Sequence, residues 1–173
     1  MLIESLVYLQ SLPRTPGGFR RHLGEAVGLW ARGRRQAQAW APHLNRCRAA
    51  IESSIDSIGR YRTVAVLGSG PCFDVPLEAL AARFGRVLLI DLAHLSTLRP
   101  RLAALANVEC LWRDLTPAGH TAPLRFLGDI PGLDWVISIN LLSQLARAAP
   151  DGEEAAIIDA HLGWTRCRAK SPC

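Results

Sequence analysis

The sequence predicts an α/β domain built on a doubly wound, mostly parallel sheet, and three observations predict it. From Arg62 onward, short apolar runs alternate with segments of helical period, the pattern of strands joined by crossover helices. Those runs begin at residues 63, 86, 108 and 135, intervals that suit a strand, turn, helix and turn. The first run passes straight into Gly68-Ser69-Gly70, a turn whose missing side chains let backbone approach a ligand.

Taken in order, the runs predict strands over Thr63–Leu67, Arg86–Ile90, Val108–Trp112 and Trp135–Ile139. Helices are expected near Val75–Arg83, Ser96–Leu105, Leu141–Ala148 and Glu153–Leu162. Ahead of them lies a helical segment, residues 1–61. Its loop at Pro13–Gly18 follows from two prolines and two glycines, which cannot continue a helix. Trp30, Ala37, Trp40, Leu44, Cys47, Ile51, Ile55 and Ile58 recur at helical steps and predict an amphipathic pair. Pro42 is expected at the junction of the pair and Gly59 at its end. The organisation is thus a helical segment 1–61, an α/β domain 62–162 and an irregular tail 163–173, which shows neither period. The strand pattern stops after four, so the sheet reads as truncated, with the fourth strand an exposed edge. A shortened or frame-shifted product, or a homodimer covering that edge, is the corresponding expectation.

Composition excludes several classes. A chain of 173 residues, 49% hydrophobic and 20% charged, can bury a core and is no disordered polyelectrolyte. Five cysteines without CxxC spacing signal neither a disulfide framework nor a zinc site. The start lacks a basic leader and no apolar stretch is long enough to span a bilayer, so a cytoplasmic protein with no membrane partner is expected. The net charge of +5 comes from residues 1–62, with ten arginines against four acids. A nucleic-acid partner is compatible with that excess but not favoured, because an Arg- and Ala-rich composition also follows from a GC-rich genome.

The acids after the next strands extend the first signal. Asp91 closes the second apolar run, twenty-one residues after Gly70, where a carboxylate can accept both ribose hydroxyls of an adenosine. Asp114 follows the third run. In a doubly wound sheet these strand ends share one crevice.

Through Val-Ala-Val-Leu-Gly-Ser-Gly, Leu-Leu-Ile-Asp-Leu, Trp-Arg-Asp-Leu-Thr and Leu-Asp-Trp-Val-Ile-Ser-Ile-Asn-Leu-Leu, residues 60 to 162 resemble the class I, Rossmann-like S-adenosylmethionine-dependent methyltransferases. The resemblance implies a cofactor, S-adenosylmethionine, bound by Gly68, Ser69, Gly70, Asp91, Leu92, Asp114, Leu115 and Asn140. In that scheme the turn holds the methionine and ribose part, and Asp91 the ribose hydroxyls. Asp114 and the Leu115 backbone take the adenine edge, and Asn140 faces the sulfonium and the methyl acceptor, which the sequence does not name. The family often carries an acid where this chain has Val66, a third glycine where it has Cys72, and seven strands.

Three rivals share parts of this pattern. A nicotinamide-dependent oxidoreductase needs a turn that cradles pyrophosphate, whereas Pro71 removes an N–H, Phe73 replaces a third glycine and Asp74 adds negative charge. A non-catalytic nucleotide-binding or interaction protein retaining the fold is the principal alternative. Hydrolytic or metal chemistry finds no support among His22, His43, His94, His120 and His161, none of which pairs at ligand spacing; His94 and His120 read as solvated loop residues. Ser69 lacks the flanking glycines of a nucleophile elbow. No catalytic residue is assigned, since aligning donor and acceptor can suffice for methyl transfer.

Overall fold

A computed structural model describes residues 2–115, 124–139, 141–142, 144–145 and 151–168, the backbone alone at 160 and 163–168. Helices α1 (Leu2–Ser11), α2 (Leu23–Arg35) and α3 (Ala37–Ile55) come first. Then follow β1 (Thr63–Leu67), α4 (Leu77–Arg83), β2 (Arg86–Asp91), α5 (Arg99–Ala103), β3 (Val108–Trp112), β4 (Leu133–Ser138) and α6 (Glu154–Arg168). The four strands form one all-parallel sheet in the order β3-β2-β1-β4, the Rossmann-like arrangement expected of the sequence.

The residues explain the layering. Thr-Val-Ala-Val-Leu of β1 is buried at all five positions because it is central and covered on both faces. Alternate side chains enter different cores. Val64, Val66, Val87 and Leu89 pack with Ile51 and Ile55 of α3, Leu77 and Leu80 of α4 and Leu98 just ahead of α5. Ala65, Leu67, Leu88 and Ile90 face the opposite way, against Leu124, Leu127, Leu141, Leu145 and Ile157 of α6. Helices on both faces make the sheet doubly wound.

The amphipathic segment forms a third core. Val7 of α1 and Leu23, Val27, Trp30 and Ala31 of α2 pack on Ala93 and Leu95, which follow β2, and on the Phe73 ring. Gly33 makes the last contact possible: a Cβ there would lie 2.3 Å from that ring. Ser11 Oγ accepts from the Ser96 N–H at 2.9 Å and ties α1 to the same loop. The outer face of α1 keeps Leu2, Ile3, Leu6 and Leu9 exposed.

Several boundaries differ from expectation. Pro42 lies inside α3, and the helix pair breaks instead at Gln36, where φ −103° and ψ 18° leave the helical region. Pro42 and Gln38 are both exposed, so water can satisfy the carbonyl that the proline leaves without a donor. The second helix of the pair ends at Ile55 rather than at Gly59. Short 3-10 turns at Leu12–Arg14 and Gly17–His22 occupy the Pro13–Gly18 region. Helix α4 begins at Leu77 rather than Val75, because Pro76, at φ −78° and ψ 68°, holds the chain outside the helical region until then. β4 is shifted toward Leu133, and α6 continues to Arg168 through the start of the tail expected to be irregular. That stretch contains no proline or glycine between Trp164 and Arg168 to end a helix. No helix among the described residues is long and apolar enough to cross a membrane.

Candidate functional site

In the strand order β3-β2-β1-β4, chain direction away from β1 reverses between β1 and β4, which makes their carboxyl ends the switch point of the sheet. Gly68, Ser69 and Gly70 turn there. Gly68 has φ +69°, and a Cβ on it would stand 2.9 Å from the Ile139 carbonyl oxygen at the end of β4. The chain therefore needs glycine twice over, for its left-handed backbone and for space. Gly70, at φ +48°, also turns left-handed.

Cys72 is left-handed as well, φ +54°, the one non-glycine residue of positive φ among those described. This is the position where the resembled family often has its third glycine. Cys72 thus holds a left-handed backbone of the kind that glycine adopts without strain. Cys72 is 1% exposed, and burial pushes its thiol up to about 12, so it packs rather than reacts.

The turn is braced from outside. Arg101, which forms a two-point ion pair with Glu78 at 2.7 and 2.8 Å, also donates to the Cys72 carbonyl at 3.1 Å. Arg48 of α3 donates to the Phe73 carbonyl. Two cations from different helices thus fix the carbonyl side of the loop and leave its N–H groups toward β2.

Asp91 meets one of those N–H groups and one from its own strand end. The Gly70 N–H donates to Asp91 Oδ2 at 2.7 Å, and the Leu92 N–H donates to Asp91 Oδ1 at 2.6 Å. Each carboxylate oxygen can accept more than one hydrogen bond, so Asp91 keeps capacity for further donors. Asp91 is half-buried at the carboxyl end of β2, beside the turn that follows β1. Sequence spacing placed it there, and the contact is made.

The remaining expected residues divide. Asp114 stands exposed two residues past Trp112, the register partner of Asp91, so it shares the carboxyl edge. Leu115 turns its side chain into the core beneath, 4% exposed, which leaves only its backbone for ligand contact. Ser69 is 1% exposed. Asn140 and His120 lie outside the described residues. Val66 is wholly buried between β1 and the α3–α5 layer, where an acid would meet an apolar core.

His94 corrects the expectation of a solvated loop residue: it is 8% exposed. Its Nε2 sits 3.3 Å from the Leu111 carbonyl, which can only accept, so Nε2 carries the proton and Nδ1 is a bare acceptor. The ring meets the Trp112 indole edge-on, centroids 4.9 Å apart. Burial lowers the His94 pKa, against the opposing pull of the Asp91 charge and the bond to Leu111. Ser69 Oγ, His94 Nδ1 and Trp112 Nε1 are buried without a hydrogen-bond partner among the described residues. They follow or end β1, β2 and β3 respectively. Of the three, the sequence marks Ser69 as a cofactor-binding residue but not His94 or Trp112, because burial of a loop histidine depends on a distant element, here Leu111 and Trp112 of β3.

No cluster of three or more His, Cys, Asp or Glu side chains among the described residues could hold a metal ion. No family model, no curated protein and no solved structure matches the chain.

Proposed function

We propose that this chain binds S-adenosylmethionine along the carboxyl edge of its sheet and serves methyl transfer to an acceptor with a nucleophilic N, O, S or C. The observation that carries the reading is the 2.7 Å hydrogen bond from the Gly70 N–H to Asp91 Oδ2, which joins the glycine turn to the β2 carboxylate. An adenosine offers two vicinal hydroxyls, and a carboxylate held from behind by backbone N–H groups is oriented to accept both.

The neighbouring groups fit such a guest. The Asp114 carboxylate and the Leu115 backbone would hold the adenine edge, and Asn140 the acceptor side. When bound, the cofactor supplies an electrophilic methyl group on a sulfonium. The residues of this chain contribute binding and alignment, which lower the barrier without a dedicated base when the acceptor is already nucleophilic.

A nicotinamide dinucleotide suits the turn less well. Its pyrophosphate needs a helix N-terminus, and here α4 starts only at Leu77, preceded by the buried Asp74. Titration calorimetry with S-adenosylhomocysteine tests the proposal. Saturable binding, weakened about 10- to 100-fold by Asp91→Ala through lost charged hydrogen bonds, supports it. Binding of NADH with no response to S-adenosylhomocysteine overturns it.

A further inference from the structure

Ser138 and His161 lie outside the set just described. Ser138 closes β4 and pairs in register with Leu67, the residue before the glycine turn. His161 reaches it from α6, and Ser138 Oγ stands 2.8 Å from His161 Nε2. The two ends of this contact differ in environment: Ser138 is exposed, whereas His161 is 4% exposed. Burial lowers the His161 pKa and so keeps its imidazole neutral, the form that can take a proton. A solvent-facing hydroxyl backed by a buried neutral imidazole is the arrangement of an activated nucleophile. The switch point of the sheet is also where ligands of such folds dock.

We propose that Ser138 and His161 form a nucleophile–base pair that accepts an acyl group from an ester or thioester held at the β1–β4 edge. Ser138 Oγ attacks the carbonyl carbon while its proton passes to His161 Nε2. The bond from that carbon to the leaving alkoxide or thiolate breaks, and His161 returns the proton to the departing group. The product is an acyl ester on Ser138; water, deprotonated by His161, then releases the acid and restores the serine. Neither residue belongs to the β1–β3 constellation, so this pair stands or falls independently of the adenosyl site.

The test uses the full chain and an alkyl fluorophosphonate, which phosphonylates activated serines with loss of fluoride. Intact mass and peptide mapping are expected to show one adduct, on Ser138, absent from Ser138→Ala. His161→Gln is expected to slow labelling at least about 100-fold, the scale of a lost general base. In His161→Gly, added imidazole is expected to restore it, which a merely architectural histidine would not do. Wild-type labelling no faster at Ser138 than at other exposed serines, or undiminished labelling in His161→Gln, overturns the proposal. Should the His161 variants fail to fold, Ser138→Cys in the otherwise unaltered chain answers the same question. A thiol facing this imidazole is expected to react with iodoacetamide at pH 6 at least about 10-fold faster than in the denatured chain, and equal rates would overturn the pairing.

Discussion

Replacing each glycine of the β1 turn by alanine separates two costs that the structure assigns to different positions. Both Gly68 and Gly70 have positive φ, +69° and +48°, so either alanine carries the left-handed penalty of about 1–2 kcal/mol. They differ in what the new methyl meets. At Gly68 it would stand 2.9 Å from the Ile139 carbonyl oxygen and 3.3 Å from Leu141 Cδ1, whereas at Gly70 the nearest atom is the Gly68 carbonyl oxygen, 4.0 Å away. A backbone carbonyl cannot swing aside as a side-chain tip can, and overpacking of that kind costs a further 1–3 kcal/mol or so. Gly68→Ala is therefore expected to lose about 2–5 kcal/mol and Gly70→Ala about 1–2 kcal/mol. With a urea slope near 2 kcal/mol per molar, midpoints should fall by about 1–2.5 M and 0.5–1 M respectively. Urea denaturation followed by circular dichroism measures both. Equal losses, or a silent Gly68→Ala, would refute the claim that β4 closes against the turn.

Other consequences are accessible to simple measurements. Burial pushes Cys72 up to about 12 and Cys110 up to about 11, so iodoacetamide at pH 8 should leave both unmodified in the native chain while alkylating Cys47, as mapped by mass spectrometry. His94 is held neutral by burial, so the unfolded chain takes up its proton first as pH drops below about 6.5, and stability falls from there toward the depressed folded-state pKa. His94→Phe should lessen that acid slope by about 1 kcal/mol per pH unit, read from urea midpoints between pH 5 and 6.5. Asp134 accepts from the Arg62 guanidinium at 2.7 Å and from the Arg62 N–H at 2.8 Å, which hold its carboxyl below the usual range. Its contribution is complete above the ordinary carboxylate pKa and disappears as pH falls through the folded-state value. Asp134→Asn should thus cost about 1 kcal/mol at pH 7, given the exposed Arg62 partner, and the difference from wild type should close below about pH 4.

Legibility in the sequence followed the range of the interactions. All four strands were readable because parallel strands buried on both faces leave continuous apolar runs, and β1 and β3 fall at the expected residues. Gly70 and Asp91 could be placed together because one strand–turn–helix–strand unit separates them, and that unit fixes the geometry. Boundaries set by single backbone choices were less readable: Gln36 rather than Pro42 breaks the helix pair, and Pro76 delays α4. Cys72 hid its left-handed backbone, since nothing in a cysteine announces positive φ. His94 and His161 looked solvated or unpaired because their burial depends on other elements closing over them, Leu111 and Trp112 of β3 in one case and the packing of α6 on β4 in the other. The Ser138–His161 contact joins different elements without any local motif to mark it.

The central claim is that the glycine turn and the β2 carboxylate together receive an adenosyl group. Amide resonances of Gly68, Gly70 and Leu92 report on it at the atoms concerned. Titrating the isotope-labelled chain with S-adenosylhomocysteine is predicted to shift these signals saturably and together, with the response lost in Asp91→Ala. Saturable shifts confined to other parts of the chain, or none at millimolar ligand, would contradict the assignment.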